Sequence, residues 1–440
     1  MTRGVLATKT TKAMKSSGVA WLGDIPDGWE ICRLKNVVAI YNGNSIPDSE
    51  KIKYEDPINA YPYISSKDID ATFSTANYEN GMFTKKEDVL FKIAKAGSVL
   101  MCIEGGSAGR KKVLLKKDVS FVNKLACFAP MSIDGRYLFY FLLSPNFEEH
   151  FSQNLTGLIG GVSVSSLRNM PILVPNGSEQ EAISVYLDEK CGAIDAAIAE
   201  AKKGIEEYKA WKISLIDDVV CNGIVRHKCR KETGEVWLED IPGEWDFKQI
   251  RYLFALRDER NDKPLKDVNL ISLYTDKGVV QHADLEKTSG NKASTADGYK
   301  LVYENDIVVN IILCWMGAVG RSAYNGVTSP AYDVYRPIDP TKVLSRYYHY
   351  LFRTPRFNGK CYEEGRGIMM MRWRTYSSEF RAIKVPVPPF EEQQAIADYL
   401  DEKCAAIDAM VTEKESLIAD LEAYKKSLIY ETVTGKRRMP

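Results

Sequence analysis

Side chains able to do chemistry are few in this chain and poorly clustered. Four histidines occur among 440 residues and none stands in a motif, so general acid–base catalysis has little to work with. No G-x-x-x-x-G-K-[ST] is present, which excludes a P-loop. The turn Gly105-Gly106-Ser107-Ala108-Gly109 lacks the Lys-Ser/Thr that would complete a phosphate cradle. Pro47-Asp48 could begin a nuclease-like carboxylate set, but no Glu-x-Lys follows at strand spacing. Cys221, His227 and Cys229 are irregularly spaced in a linker and do not match metal-ligand spacing. Nine cysteines form no C-x-x-C pair and no framework, which fits reduced thiols in a cytosol.

Ser144-Pro145-Asn146-Phe147 and Ser329-Pro330-Ala331-Tyr332 each resemble the Pro-Pro-aromatic motif of amino-methyltransferases, but both lack its second proline. No glycine-rich S-adenosylmethionine turn accompanies either. Residue types suited to nucleic acid are better represented. The stretch 154–166 carries Asn154, Thr156, Gly160, Ser163 and Ser165, small hydrogen-bonding groups beside flexible glycines. Its counterpart 364–376 carries Arg366, Arg372, Arg374 and Tyr376. Arginine can fork onto a guanine edge, and Asn, Ser and Thr can bond bases or phosphates. Arg110, Lys111 and Lys112 follow one glycine turn and Arg321 follows a second, as phosphate candidates. Asn42, Asn44 and Ser45, with Arg257, Arg260 and Asn261, follow the first strand of each half.

The elements that must position these groups come in two copies. Tyr186-Leu187-Asp188-Glu189-Lys190-Cys191 returns as Tyr399-Leu400-Asp401-Glu402-Lys403-Cys404, an offset of 213. Trp21-Leu22-Gly23-Asp24-Ile25-Pro26-Asp27-Gly28-Trp29 returns as Trp237-Leu238-Glu239-Asp240-Ile241-Pro242-Gly243-Glu244-Trp245, an offset of 216. The pattern predicts a polar arm over 1–16, mixed α/β domains over 17–175 and 231–388, and helical segments over 176–230 and 389–440. Expected strands include 61–64, 98–103 and 306–311, with short helices near 137–143 and 347–352. The segments after each domain keep an apolar stripe: Ile183, Leu187, Ile194 and Ile198, then Ile396, Leu400, Ile407 and Val411. Steps of three and four predict a coiled-coil-like seam between two antiparallel helices of about 35 residues each. The fold class expected is α+β: two α/β domains related by pseudo-two-fold symmetry and held apart by the helix pair. The domain sequences diverge where the helices nearly repeat, so the two domains share a frame and present different surfaces.

Formal net charge is zero, but it sorts by segment. The two domain segments together are basic by 6 and the two helical segments acidic by the same amount. No run approaches a membrane span and no signal peptide is read, which predicts a cytoplasmic protein without membrane contact.

The chain resembles the specificity (S) subunit of a type I restriction-modification system. The paired Trp-Leu-x-Asp-Ile-Pro-x-x-Trp segments carry the likeness, as do Pro175…Glu179-Gln180…Ile183 and Pro388…Glu392-Gln393…Ile396. The terminal Tyr424-Lys425-Lys426-Ser427-Leu428-Ile429…Val433-Thr434-Gly435-Lys436 extends it. The first copy departs at Val220-Cys221-Asn222-Gly223, which affects only the end of its helix. The resemblance implies a non-catalytic chain in which each target-recognition domain reads half of a bipartite site on double-stranded DNA. It implies helices that set the spacer and dock two modification (M) subunits, with restriction (R) subunits joining. It places S-adenosylmethionine on M and ATP with Mg²⁺ on R, and no cofactor on this chain. Two other classes stay open from sequence: an enzyme in its own right, and a bilobal protein-binding adaptor.

Overall fold

The computed structural model describes residues 13–157, 160–282, 295–367 and 373–437. The chain forms two compact units, residues 1–202 with 415–440, and residues 203–414. The first unit joins two separate stretches of the chain, whereas the second is one continuous stretch.

In the first unit an antiparallel sheet runs in the order Val38–Asn42, Leu125–Pro130, Val99–Cys102, Lys112–Leu114. Every residue of Val99–Cys102 is buried. Val99 and Met101 pack toward the helices, while Leu100 and Cys102 join a second core with Ile64, Val119 and Phe121. A strand buried on both faces has no polar alternation, which is why this segment reads as a continuous apolar run. The outer sheet orders Phe83–Lys85, Ala60–Ile64, Val119–Phe121 and Ile93–Ala94, with Ala60–Ile64 and Val119–Phe121 parallel. Helices α1 (Leu34–Val37), α2 (Gly135–Leu143), α3 (Pro145–Gln153) and α4 (Val164–Asn169) lead to the long α5 (Gly177–Asn222).

The second unit repeats the inner sheet as Phe254–Arg257, Tyr332–Pro337, Ile307–Asn310, Val319–Arg321. Its outer layer differs: a hairpin Ile271–Tyr274/Gly278–Gln281 and a separate pair Lys300–Val302/Gly326–Thr328. Helices α6 (Ser345–Leu351), α7 (Pro355–Glu364) and α8 (Ser377–Ala382) precede α9 (Phe390–Val433). The frame is common and the elaboration is not.

Helices α3 and α7 were not expected. Ser144 and Thr354 cap them, each hydroxyl accepting an amide N–H from Phe147 or Phe357, with Pro145 and Pro355 at the first helical position. The Ser-Pro and Thr-Pro dipeptides are thus helix starts. Helices α5 and α9 span 46 and 44 residues, longer than the 35 expected.

The repeated motifs are joints. Trp29 Nε1 donates to Glu179 at 3.0 Å, and Trp245 Nε1 to Glu392 at 2.8 Å, tying each opening segment to the start of a long helix. The Gln180 side chain accepts the Asp134 N–H and donates to Pro175 O, both at 2.8 Å. Gln393 does the same with Leu344 N at 2.9 Å and Pro388 O at 2.8 Å. Asp188 accepts the Tyr140 hydroxyl at 2.8 Å and Arg136 at 3.3 Å. Asp401 accepts Tyr350 at 2.6 Å and also takes Arg346. The Tyr-Leu-Asp hexapeptides recur because each Asp clamps a short helix onto a long one.

Each unit pairs the start of one long helix with the end of the other, antiparallel. In the first, Lys425 Nζ meets Asp195 at 2.6 Å and Arg437 reaches Tyr186 at 3.2 Å. In the second, Lys212 meets Asp408 at 2.7 Å and Lys414 lies 5.7 Å from the Tyr208 ring centre. Asp195 and Asp408, like Lys212 and Lys425, are 213 apart, so the two bridges are one bridge repeated. Ile183, Leu187, Ile194 and Ile198 are buried in the first unit. Ile396, Leu400 and Ile407 are buried in the second, and Val411 is half-buried. The stripe does more than face the other helix. Ile183 and Leu187 share a core with Tyr137 and Phe141 as well as Leu428, Ile429 and Val433. Ile396 and Leu400 likewise join Tyr347 and Phe352.

Candidate nucleic-acid interface

In both units the loop after α3 or α7 closes on itself and is stitched to the end of a core strand. Thr156 and Gly161 exchange two backbone hydrogen bonds at 2.9 Å. Val162 N then donates to Ile103 O at 3.0 Å, and Gly105 N to Gly160 O at 2.9 Å. In the second unit Arg366 and Arg374 exchange bonds at 2.8 and 3.0 Å, and Thr375 N donates to Ile311 O at 2.9 Å. Gly161 and Arg374 therefore hold one structural position, as do Thr156 and Arg366. The chain folds this way because Gly105, Gly109, Gly157 and Gly160 adopt positive φ, a region glycine enters without strain.

The first unit brings Asn42, Glu104, Thr156, Gly160 and Ser163 around one open depression. Thr156 and Ser165 are exposed, and Ser163 caps α4 by accepting Ser166 N at 3.0 Å. Asn154 ends α3 and spends its amide on His150 O at 2.8 Å. Arg110 is exposed and folds back onto the Gly106 carbonyl. Lys111 is half-buried with its ammonium on Ser66 O at 2.7 Å. The turn amides at Gly105, Ala108, Gly109 and Arg110 are taken by backbone carbonyls, so no cradle of free N–H groups is formed by them.

Lys112 requires a correction. It is fully buried and ion-paired with Glu148 at 2.6 Å, and burial lowers its pKa. An ammonium sealed inside the core cannot reach a phosphate. Asn44 is half-buried, its side-chain oxygen accepting Lys92 N at 3.1 Å, while its neighbour Ser45 is exposed. Both stand beside the outer sheet, where Asn44 N donates to Phe121 O at 2.9 Å.

In the second unit Arg257 also reads differently from expectation. Its side chain is 14% exposed, bonds the buried Asp306 at 2.8 Å and lies 4.5 Å from the Tyr303 ring centre. It is a structural cation. Arg260 is exposed but paired with Asp258 at 2.6 Å, and half-buried Arg321 donates to Asn305 at 2.8 Å. Arg366 is 75% exposed beside Glu379 at 3.1 Å. Arg374 is half-buried and Tyr376 is exposed at the start of α8. Arg372 lies outside the described residues.

One group escaped the sequence reading. Trp315, Tyr362 and Trp373 form a connected set of rings next to Arg366 and Arg374. The signal was available: Phe357 and Cys361 face the core from α7, so Tyr362 must face away.

A family model described as "Type I restriction modification DNA specificity domain" matches residues 26–206 and again 242–418. A Methanocaldococcus jannaschii protein assigned as the specificity subunit of type I restriction enzyme MjaX is 23% identical, covering 95% of this chain and 96% of the relative. The MjaVIII specificity subunit of the same organism is 27% identical over 51% of this chain and 52% of its own length. Among solved structures, a chain from work on assembly and conformational transition of the type I R-M system aligns with TM-score 0.68 at 13% identity, covering 94% of this chain and 99% of that one. The HsdS subunit from Thermoanaerobacter tengcongensis aligns with TM-score 0.51 at 14% identity, covering 94% and 98%. The doubled frame, the two stitched loops and the doubled family match agree: this chain belongs to the type I restriction modification DNA specificity family and is a non-catalytic DNA-recognition subunit.

Proposed function

We propose that each unit reads one half of a bipartite site on double-stranded DNA, through domains spanning residues 17–175 and 231–388. The reading rests chiefly on one observation: equivalent loop positions make the same two-bond exchange and the same bond to a core strand's end, yet carry Thr156 and Gly161 in one unit and Arg366 and Arg374 in the other. Conserved geometry with altered chemistry is what two readers of different sequences require. Exposed Thr156, Ser163, Ser165 and Arg110 serve the first half-site, and Arg366, Arg372, Arg374 and Tyr376 the second.

The helical segments 176–230 and 389–440 set the spacer and dock two modification subunits, with restriction subunits joining the assembly. S-adenosylmethionine belongs to the modification subunits and ATP with Mg²⁺ to the restriction subunits. This chain contributes binding and orientation alone, with no covalent step.

Methylome sequencing tests the reading in cells that express the chain with its modification subunit. A bipartite adenine-methylated motif is expected, and replacing residues 231–388 by those of another family member changes one half only. A motif that changes in both halves, or a single undivided motif, would overturn the two-reader assignment. Arg372→Ala is expected to weaken or relax the second half-site alone; equal loss on every DNA sequence would make it a phosphate contact.

A further inference from the structure

The rings beside the second loop have no counterpart among the small polar residues of the first. Tyr362 and Trp373 stack with centroids 5.0 Å apart at 25°, and Trp315 meets Tyr362 edge-on at 5.6 Å. Both indole N–H groups are spent within the protein: Trp315 donates to Ile312 O and Trp373 to Tyr362 O, each at 3.0 Å. Gly365 makes the stack possible, because a Cβ there would fall 2.3 Å from Trp373 Nε1. Met316 is 49% exposed and Tyr362 42% exposed.

The Tyr362 ring, and the Met316 side chain that follows Trp315 in the chain, therefore each offer solvent apolar surface. Exposed Arg366 and half-buried Arg374 flank it on the hydrogen-bonded bridge that leads into Trp373. An apolar patch bordered by guanidinium groups suits an apolar feature carried on a polyanion. In the major groove that feature is the thymine C5-methyl group. Flexible methionine and flat aromatic faces suit methyl contact better than directional hydrogen bonding.

We propose that Tyr362, stacked on Trp373 and edge-on to Trp315, together with exposed Met316 next to Trp315 in the chain, determines specificity in the second half-site by contacting a thymine methyl group. The proposal rests on the two-reader assignment above and adds a chemical class of contact to it. The first unit, with Thr156, Ser163 and Ser165 at its loop, reads by hydrogen bonding and makes no such demand.

The test uses the full chain assembled with its modification subunits, bound to duplexes carrying its methylated target. Each thymine of the second half-site is replaced in turn by uracil, which removes only the methyl group. At one position or more, uracil is expected to weaken binding roughly fourfold, the scale for one buried methyl. Met316→Ala and Tyr362→Ala should lose that discrimination while still distinguishing the correct first half-site, which certifies their folding. The proposal is overturned if the wild-type complex ignores uracil at every such position, if the second half-site has no thymine on either strand, or if both variants keep the discrimination. A wild-type complex that does not prefer its target over a scrambled duplex would instead overturn the two-reader assignment itself.

Discussion

Lys112 and Glu148 show how burial separates a structural charge from a binding one. The Lys112 side chain is 0% exposed and its carboxylate partner 36% exposed. Removing Glu148 strands a buried ammonium, at a cost of roughly 3 kcal/mol or more, whereas removing the Lys112 charge leaves a carboxylate that water still reaches. Lys112→Met should therefore leave both stability and DNA affinity close to wild type. Glu148→Ala should destabilise the first unit, as read by urea unfolding. A salt-dependent loss of DNA affinity in Lys112→Met would restore it as a phosphate ligand.

His349 is the titratable counterpart in the second unit. Burial, then Arg353 and Arg321, lower its pKa to about 3, and its Nδ1 accepts Arg321 N at 3.1 Å. Since the unfolded histidine takes a proton near pH 6.5 and the folded one only near 3, its contribution is whole above 6.5 and lost as pH falls toward 3. Between pH 7 and 4 this amounts to about 3 kcal/mol. His349→Asn offers an acceptor at the Nδ1 position without the titration, so its stability should fall less steeply on acidification. Identical acid slopes for the two proteins would assign the loss to other groups.

Among elements, the Asp195–Lys425 bridge is the most informative contact, because both partners are partly shielded, at 24% and 15% exposure. Asp195→Lys sets two ammonium groups against each other and should cost about 1 kcal/mol or more. Adding Lys425→Asp should recover most of that loss, and a thermodynamic cycle over the four proteins measures the coupling. Absence of recovery would make the bridge incidental to helix pairing. The caps of α3 and α7 are a second element-scale feature. The sequence holds Ser144-Pro145 and Thr354-Pro355 openly, but a dipeptide suitable for a cap also suits a loop; only the amides of Phe147 and Phe357 arriving at those hydroxyls identify the helix start. Likewise Leu417 and Ile418 compete for one place on the α9 stripe. Leu417 is 48% exposed while Ile418 packs on the first unit's core.

For the molecule as a whole, the consequential fact is that the first unit includes residues 415–440. Tyr137 donates to Val433 O at 3.4 Å, and Leu428, Ile429 and Val433 are buried in the core of residues 22–198. Ending the chain after Lys414 therefore removes three core side chains worth roughly 1.5–3 kcal/mol each. Hydrogen exchange should show the first unit losing protection while residues 203–414 keep theirs. Uniform loss across both units would mean that they fold as one cooperative body. The second unit has the mirror dependence: Tyr347 donates to Val220 O at 2.8 Å.

The sequence alone determined the duplication, the two long helices and the family likeness, because exact repeats and apolar spacing are local properties that survive without coordinates. It also located the two loops, 154–166 and 364–376, since glycines and polar residues stand out against apolar strands. What tertiary structure decided is which cations are available and which rings gather. Lys111 and Lys112 are neighbours of the same type, yet one lies on a carbonyl near the surface and the other is sealed against Glu148. Trp315, Tyr362 and Trp373 come from three separate segments and meet only through the fold. Burial and long-range proximity depend on the whole chain's packing, and no window of sequence contains them.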